Sequence, residues 1–128
     1  MAQEFTVSLQ AIIDECKLEV IHTPQDPAKI FISNIDVNRP GLQLAGFYEY
    51  FDKGRIQIIG KAETAYLEQC GAEIRAQRIK KFFSEQPAAV VVSRGMDIMP
   101  EMRELSKELS VPLLRSEVTV SYTHLRAH

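Results

Sequence analysis

Residues 88 to 93, AAVVVS, carry three consecutive valines and no polar side chain before the serine. A β-branched run that is apolar at successive positions has no polar face to offer water, so it reads as a strand covered on both sides, in the middle of a parallel sheet. Such a strand needs helices above and below it. The sequence supplies them: AEIRAQRIKKFF (72–83) turns Ile79, Phe82 and Phe83 to one face. RGMDIMPEMRELSKELS (94–110) places Ile98, Met102, Leu105 and Leu109 at spacings of four, three and four, with Pro100 in the first turn.

The neighbouring segments repeat the pattern. RIQII (55–59) is a short buried strand ending at Gly60, AETAYLEQC (62–70) a helix stopping at Gly71, and VPLLRS (111–116) a further buried strand. Strand, helix and strand in alternation with short connections define a parallel sheet with right-handed crossovers. Nearer the N-terminus, SLQAIIDECK (8–17) forms an amphipathic helix capped by Ser8, LEVIH (18–22) a strand, TPQDP (23–27) a turn, and KIFIS (29–33) a second strand leading into NRPGLQLAGFYEYF (38–51). The expected class is α/β, a small, mostly parallel sheet flanked by helices.

A chain of 128 residues with 45% hydrophobic content buries one continuous core. Its net charge of -2 creates no field to gather it onto a polyanion, which disfavours nucleic acid as a partner. Cys16 and Cys70 stand far apart on helical faces and read as reduced core thiols. The sequence shows neither a membrane span nor a signal peptide, and the expected compartment is the cytoplasm.

The familiar catalytic patterns fail one by one. GRIQIIGK (54–61) has five residues between its glycines where a P-loop has four, Ala62 after the lysine, and an apolar strand where a phosphate cradle belongs. His22, His124 and His128 are too few and too scattered for a metal site or a triad. Glu101, Glu104 and Glu108 lie beside Arg103 and Lys107 and read as the solvated face of a helix; Arg75, Arg78 and Lys81 share a helix side that reads as solubilising, with a docking patch as the alternative. No catalytic, metal or cofactor-binding residue is expected.

Four cations fall near predicted strand ends: Arg39, Lys61, Arg94 and Arg115. Ligands of open α/β sheets bind outside the carboxyl ends of strands, so these residues, beside Gly41, Gly60 and Gly95, are candidates to hold a phosphate or carboxylate group. The competing expectation has them tying loops together through carbonyls and Asp36, Glu49 and Asp97.

The order of VSLQAIIDECKLEVI, ISNIDVNRPGLQLAGFYEYF, RIQIIGKAETAYLEQ, AAVVVSRGMDIMPEM and VPLLRSEVT resembles the N-terminal domain of the HPr kinase/phosphorylase family, over residues 5 to 119. These enzymes phosphorylate and dephosphorylate a serine of the phosphocarrier HPr in bacterial carbon catabolite regulation. Their recognisable segment maps onto Arg39, Pro40, Gly41, Leu42, Gln43, Leu44, Ala45 and Gly46, followed by Phe47, Tyr48, Tyr50 and Phe51. Pro40 and Gly41 would turn the chain, Leu42 and Leu44 anchor a short segment on the sheet, Gly46 allow tight packing, and the aromatics cover a sheet edge or another subunit.

The resemblance implies a fold like that of the substrate-binding domain of murein precursor ligases. It also implies that ATP, Mg and HPr are handled by a separate C-terminal domain bearing the true P-loop, through which the parent enzyme forms hexamers. Residues 1–119 are then a non-catalytic, regulatory or structural domain, whose partners are that catalytic domain, its sister subunits and, through them, HPr. VSYTHLRAH, filling 120–128, has no clear periodicity and reads as an atypical tail or scar. The alternative is a free-standing module that binds a phosphorylated metabolite through the strand-end cations.

Overall fold

The computed structural model describes residues 6–49 and 51–118. The tail at 120–128, with His124 and His128, and the aromatic Tyr50 lie outside the described residues.

Helix α1, Leu9–Cys16, follows a two-residue strand β1, Val7–Ser8. The Ser8 hydroxyl accepts the Ala11 N–H at 3.1 Å, satisfying a donor that the first helical turn leaves orphaned, and Lys17 ends the helix in the left-handed region at φ 55°. Strand β2, Glu19–His22, and a 3-10 turn at Pro27–Lys29 follow. The segment at 29–33 departs from expectation. Only Phe31–Ile32 forms a strand, β3, and it pairs antiparallel with β1 in a separate two-stranded sheet. The strand entering the motif is β4, Asn34–Asn38.

The main sheet is completed by β5 (Arg55–Ile59), β6 (Ala89–Val92) and β7 (Leu113–Arg115), in the order β2-β7-β6-β5-β4. β4, β5, β6 and β7 are mutually parallel; β2 is the exception, antiparallel to β7 at one edge. The mostly parallel α/β class is thus the one observed, with β6 in the centre as its composition demands.

Alternation along the strands feeds two cores. Ile56, Ile58, Val91 and Leu114 point to the α1 side, with Leu9, Ile12 and Ile13. Ile59, Val90, Val92 and Leu113 point to the other, where α3 (Lys61–Gln69), α4 (Ala72–Ser84) and α5 (Pro100–Leu109) deliver Leu67, Ile79, Phe82, Phe83 and Met102. α5 begins at Pro100, so Ile98 packs from the preceding loop instead of from the helix.

The segment after Arg39 also differs. It is one helical turn, α2, Gly41–Leu44, closed by Leu44 N–H to Pro40 O at 2.9 Å and Ala45 N–H to Gly41 O at 3.1 Å. Leu, Gln, Leu and Ala are good helix formers, and proline just before them pre-sets the first turn. The helical turn separates the two leucines: Leu44 is buried, whereas Leu42 is 64% exposed and anchors nothing on the sheet. A side chain at Gly41 would meet open space, so glycine is not demanded there.

Candidate functional site

At the carboxyl end of β4 the chain is knotted to β5 and α3 by polar groups. Asn38 Nδ2 donates to Gln57 Oε1 at 2.6 Å and to Gln43 Oε1 at 3.2 Å, while Gln57 Nε2 donates to the carbonyls of Arg55 and Asp52. Gln57 lies mid-strand with no exposed surface, and a buried amide survives there because its donors and acceptor are satisfied.

Arg39 follows at once. Its Nη2 and Nε reach Glu63 Oε1 and Oε2 at 2.8 and 3.1 Å, a two-pronged fork onto a buried carboxylate. Glu63 Oε1 also accepts the Gly60 N–H at 2.8 Å. Burial would raise the Glu63 pKa, but the Arg39 hydrogen bonds, the Gly60 and Glu63 amides and the guanidinium charge outweigh it, so the carboxyl titrates below its ordinary range. The guanidinium lies across Gly60, where an added Cβ would run into Arg39 Nη2 and come within 3.2 Å of Glu63 Oε1. Glycine at 60 is the space in which the fork sits.

The far end of α2 is held similarly. Arg78 Nη1 donates to Ala45 O at 3.3 Å, and Gly46 turns the chain at φ 109°, with Arg78 Nη1 only 3.0 Å from where a Cβ would stand. Gly46→Ala is expected to cost about 1.5 kcal/mol of stability, read by urea denaturation, because alanine must adopt a left-handed backbone and displace the arginine. Beyond Gly46 the aromatics split. Phe51 packs onto Phe82 at 6.0 Å and meets Tyr48 edge-on at 5.7 Å; the Lys81 ammonium sits 5.0 Å over the Tyr48 ring; Phe47 is half exposed. Burial, then the nearby Glu85, push the Tyr48 phenol up to about 12, with Arg78 opposing, so it stays protonated at any physiological pH.

Because β4 to β7 are parallel, Arg39, Lys61, Arg94 and Arg115 do stand at one end of the sheet, one per strand. Their situations differ. Arg39 is taken by Glu63; Arg115 Nη2 pairs with Glu19 Oε1 at 2.8 Å and its Nη1 donates to Met96 O at 3.3 Å. The tying acids are therefore Glu63 and Glu19, where Asp36, Glu49 and Asp97 were expected. Lys61 and Arg94 are exposed, and no ion pair joins either to another described residue. The amide of Gly60, at the start of α3, donates to Glu63, so an intramolecular carboxylate already occupies that helix end.

Two charged groups are less solvated than the sequence suggested. Glu101 is not on the outer face of α5 but pairs with Arg75 at 2.8 Å, joining α5 to α4. Both side chains are largely covered, so Arg75 belongs to a helix interface and not to a solubilising stripe. Sequence spacing misses this because the partner lies 26 residues away.

The residues from Gly54 to Lys61 do not fit a nucleotide. Arg55–Ile59 is β5, with Ile56 to Ile59 buried, so the backbone donors a phosphate would need belong to a sheet ladder. Among the described residues no cluster of three or more His, Cys, Asp or Glu is placed to hold a metal ion, and no helix is long and apolar enough to cross a membrane.

Fold and site together define a small α/β domain in which two of the four cations at the carboxyl end of the sheet are held by intramolecular ion pairs. Residues 7–127 match the family described as the HPr Serine kinase N terminus, and the chain belongs to that family. It is similar to the HPr kinase/phosphorylase of Clostridium perfringens, 41% identical over 115 residues, covering 90% of this chain and 37% of that protein. With the Clostridium acetobutylicum protein of the same name it shares 44% identity over 111 residues, covering 87% of this chain and 36% of the relative. The chain thus spans little more than a third of the length of these relatives. Among solved structures it resembles the CBS and DRTGG domains of the regulatory region of Clostridium perfringens pyrophosphatase, with a TM-score of 0.61 and 22% identity over 93% of this chain and 44% of that one, a likeness of fold.

Proposed function

We propose that this chain is the non-catalytic N-terminal domain of a bifunctional HPr serine kinase/phosphorylase, serving to position or regulate the catalytic part of a hexamer that acts on HPr in the cytoplasm. The observation that carries this reading is the family match together with its extent, about 37% of the relatives' length. The strand at Arg55–Ile59, standing where a phosphate loop would have to be, supports assigning ATP, Mg and phosphoryl transfer to another portion of the enzyme. The ion-paired state of Arg39 and Arg115 supports a structural use for these two strand-end cations over a ligand site.

The test is a chimera. This chain replaces the matching N-terminal part of the Clostridium perfringens enzyme, and the balance of HPr phosphorylation to dephosphorylation is compared with that of the same enzyme lacking the part. The expected result is a chimera that restores the intact enzyme's balance, at least about threefold away from that of the truncated form. Equal ratios in all three forms would contradict a regulatory role.

A second reading rests on Lys61 and Arg94, exposed at the ends of β5 and β6 with no ion pair among the described residues. In it the domain senses a phosphorylated metabolite there, with Arg39 and Arg115 recruited from their carboxylates. Perturbation of the Gly60 and Gly95 amides by a sugar phosphate at millimolar concentration, absent in Lys61→Gln, would support it. No perturbation would remove it.

A further inference from the structure

The chain that leaves β7 is strapped to the loop that follows β6. Ser116 extends the ladder, its N–H donating to Val92 O at 2.8 Å, and the residue is buried. The loop then turns back onto it: the Gly95 N–H donates to Ser116 O at 2.7 Å and the Arg94 N–H to Val118 O at 3.2 Å. Ser116 Oγ accepts the Val118 N–H at 3.2 Å, which bends 116–118 against the loop, and Arg115 Nη1 donates to Met96 O at 3.3 Å.

The loop takes a costly shape to do this. Arg94 and Gly95 are both left-handed, at φ 60° and φ 62°. A non-glycine residue persists in that region only where its surroundings over-determine it. The outgoing chain supplies those surroundings, because the amides of both residues donate to it. On its other side the same loop packs Met96 on the helix-side core, with Ile98 and Met99 following. One short loop therefore touches the helix layer and the departing chain at once.

We propose that residues 94–96 are a coupling element, which fixes the course on which the chain leaves the sheet and so conveys the state of this domain to the part that follows. The proposal rests on the reading of this chain as the regulatory N-terminal domain of an HPr kinase/phosphorylase. It assigns that regulation a place: the strap between the loop and 116–118, not the strand-end cations.

Gly95→Ala is the probe. The added Cβ meets nothing nearer than Glu117 Cα at 3.9 Å, so the methyl fits and the cost is confined to the left-handed backbone that the strap requires. Gly71→Ala is the control. It too has a positive φ, 81°, with nothing within 4 Å of the added Cβ, but its carbonyl serves the Arg75 N–H in α4. Amide hydrogen exchange of the purified chain is read first, with Arg94 compared against Val91 in the central strand so that a global loss of stability cancels. The Arg94 and Gly95 amides are expected to exchange at least about tenfold slower than in an unfolded peptide, and Gly95→Ala to raise the Arg94 rate relative to Val91 at least about threefold, with Gly71→Ala changing it less than about 1.5-fold. Both substitutions are then placed in the chimera with the Clostridium perfringens enzyme. Gly95→Ala should move the balance of HPr phosphorylation to dephosphorylation at least about twofold toward that of the truncated form, and Gly71→Ala less than about 1.5-fold. Unprotected Arg94 and Gly95 amides, an Arg94 rate indifferent to Gly95→Ala, or a chimera that responds to both substitutions alike or to neither would overturn the coupling. Equal balances in the intact, truncated and chimeric enzymes would remove the regulatory reading and the coupling with it, while protected amides would still show the strap, so the two failures are told apart.

Discussion

Phe82→Ala is expected to lower the free energy of unfolding by about 4 kcal/mol, measured by urea denaturation, which is a large part of the stability an ordinary domain possesses. Phe82 has no exposed surface and lies in the core between α4 and the sheet, with Phe83 at 5.9 Å and Phe51 at 6.0 Å. Removing it leaves a cavity that neighbouring helices close only in part, and it takes away the surface on which Phe51 rests. Phe51 in turn supports Tyr48 edge-on. The amides from 47 to 51 should therefore shift with the loss of stability, while Phe47→Ala, at a half-exposed ring, should change stability by less than about 0.5 kcal/mol. A Phe82→Ala cost below about 1 kcal/mol would show that the aromatic motif is not seated on this core.

Arg39→Ala is expected to cost about 2–3 kcal/mol, because it strips two charge-assisted hydrogen bonds from a carboxylate that remains buried. The larger losses typical of fully buried pairs are not expected, since the Arg39 side chain is itself 55% exposed. The same contact sets a pH signature. The folded pKa of Glu63 lies below its ordinary value, so its contribution is present above the unfolded carboxylate pKa, roughly 4.3, and is lost as pH falls through the folded value. In Arg39→Ala burial is no longer outweighed to the same degree, so the acid-side loss due to Glu63 should shrink. Arg39→Lys should recover only part of the stability, lacking the planar fork. Wild-type stability in Arg39→Ala, or an unchanged acid limb, would refute the structural role given to this arginine.

The layered architecture was legible because burial on both faces leaves a direct trace in composition: valines at 90, 91 and 92 and isoleucines at 56, 58 and 59 admit few other positions. Helix ends at Ser8 and Pro100 were legible because caps act within a few residues. The turn at Pro40 and Gly41 was legible, but not that a helical turn follows it, which buries Leu44 and turns Leu42 outward where both were expected to anchor the segment on the sheet. The strand at 29–33 was overestimated because alternation is satisfied equally by a two-stranded ladder away from the main sheet. The candidate site was legible only by position. Parallel strands bring Arg39, Lys61, Arg94 and Arg115 to one end, but the acids that claim two of them, Glu63 and Glu19, are chosen by tertiary contacts 24 and 96 residues away. The buried amide of Gln57 and the Glu101–Arg75 pair were hidden for the same reason.

We propose that this domain does no phosphoryl transfer of its own and that the described residues of its signature segment, Arg39 to Glu49 and Phe51, serve the fold. The most direct measurement incubates the purified chain with ATP, Mg and HPr and follows phosphate on the HPr serine. The account predicts no phospho-HPr above that formed without the chain. Phospho-HPr that increases with the chain's concentration, persists through repurification and disappears on substitution of a residue between Gly54 and Lys61 would contradict it.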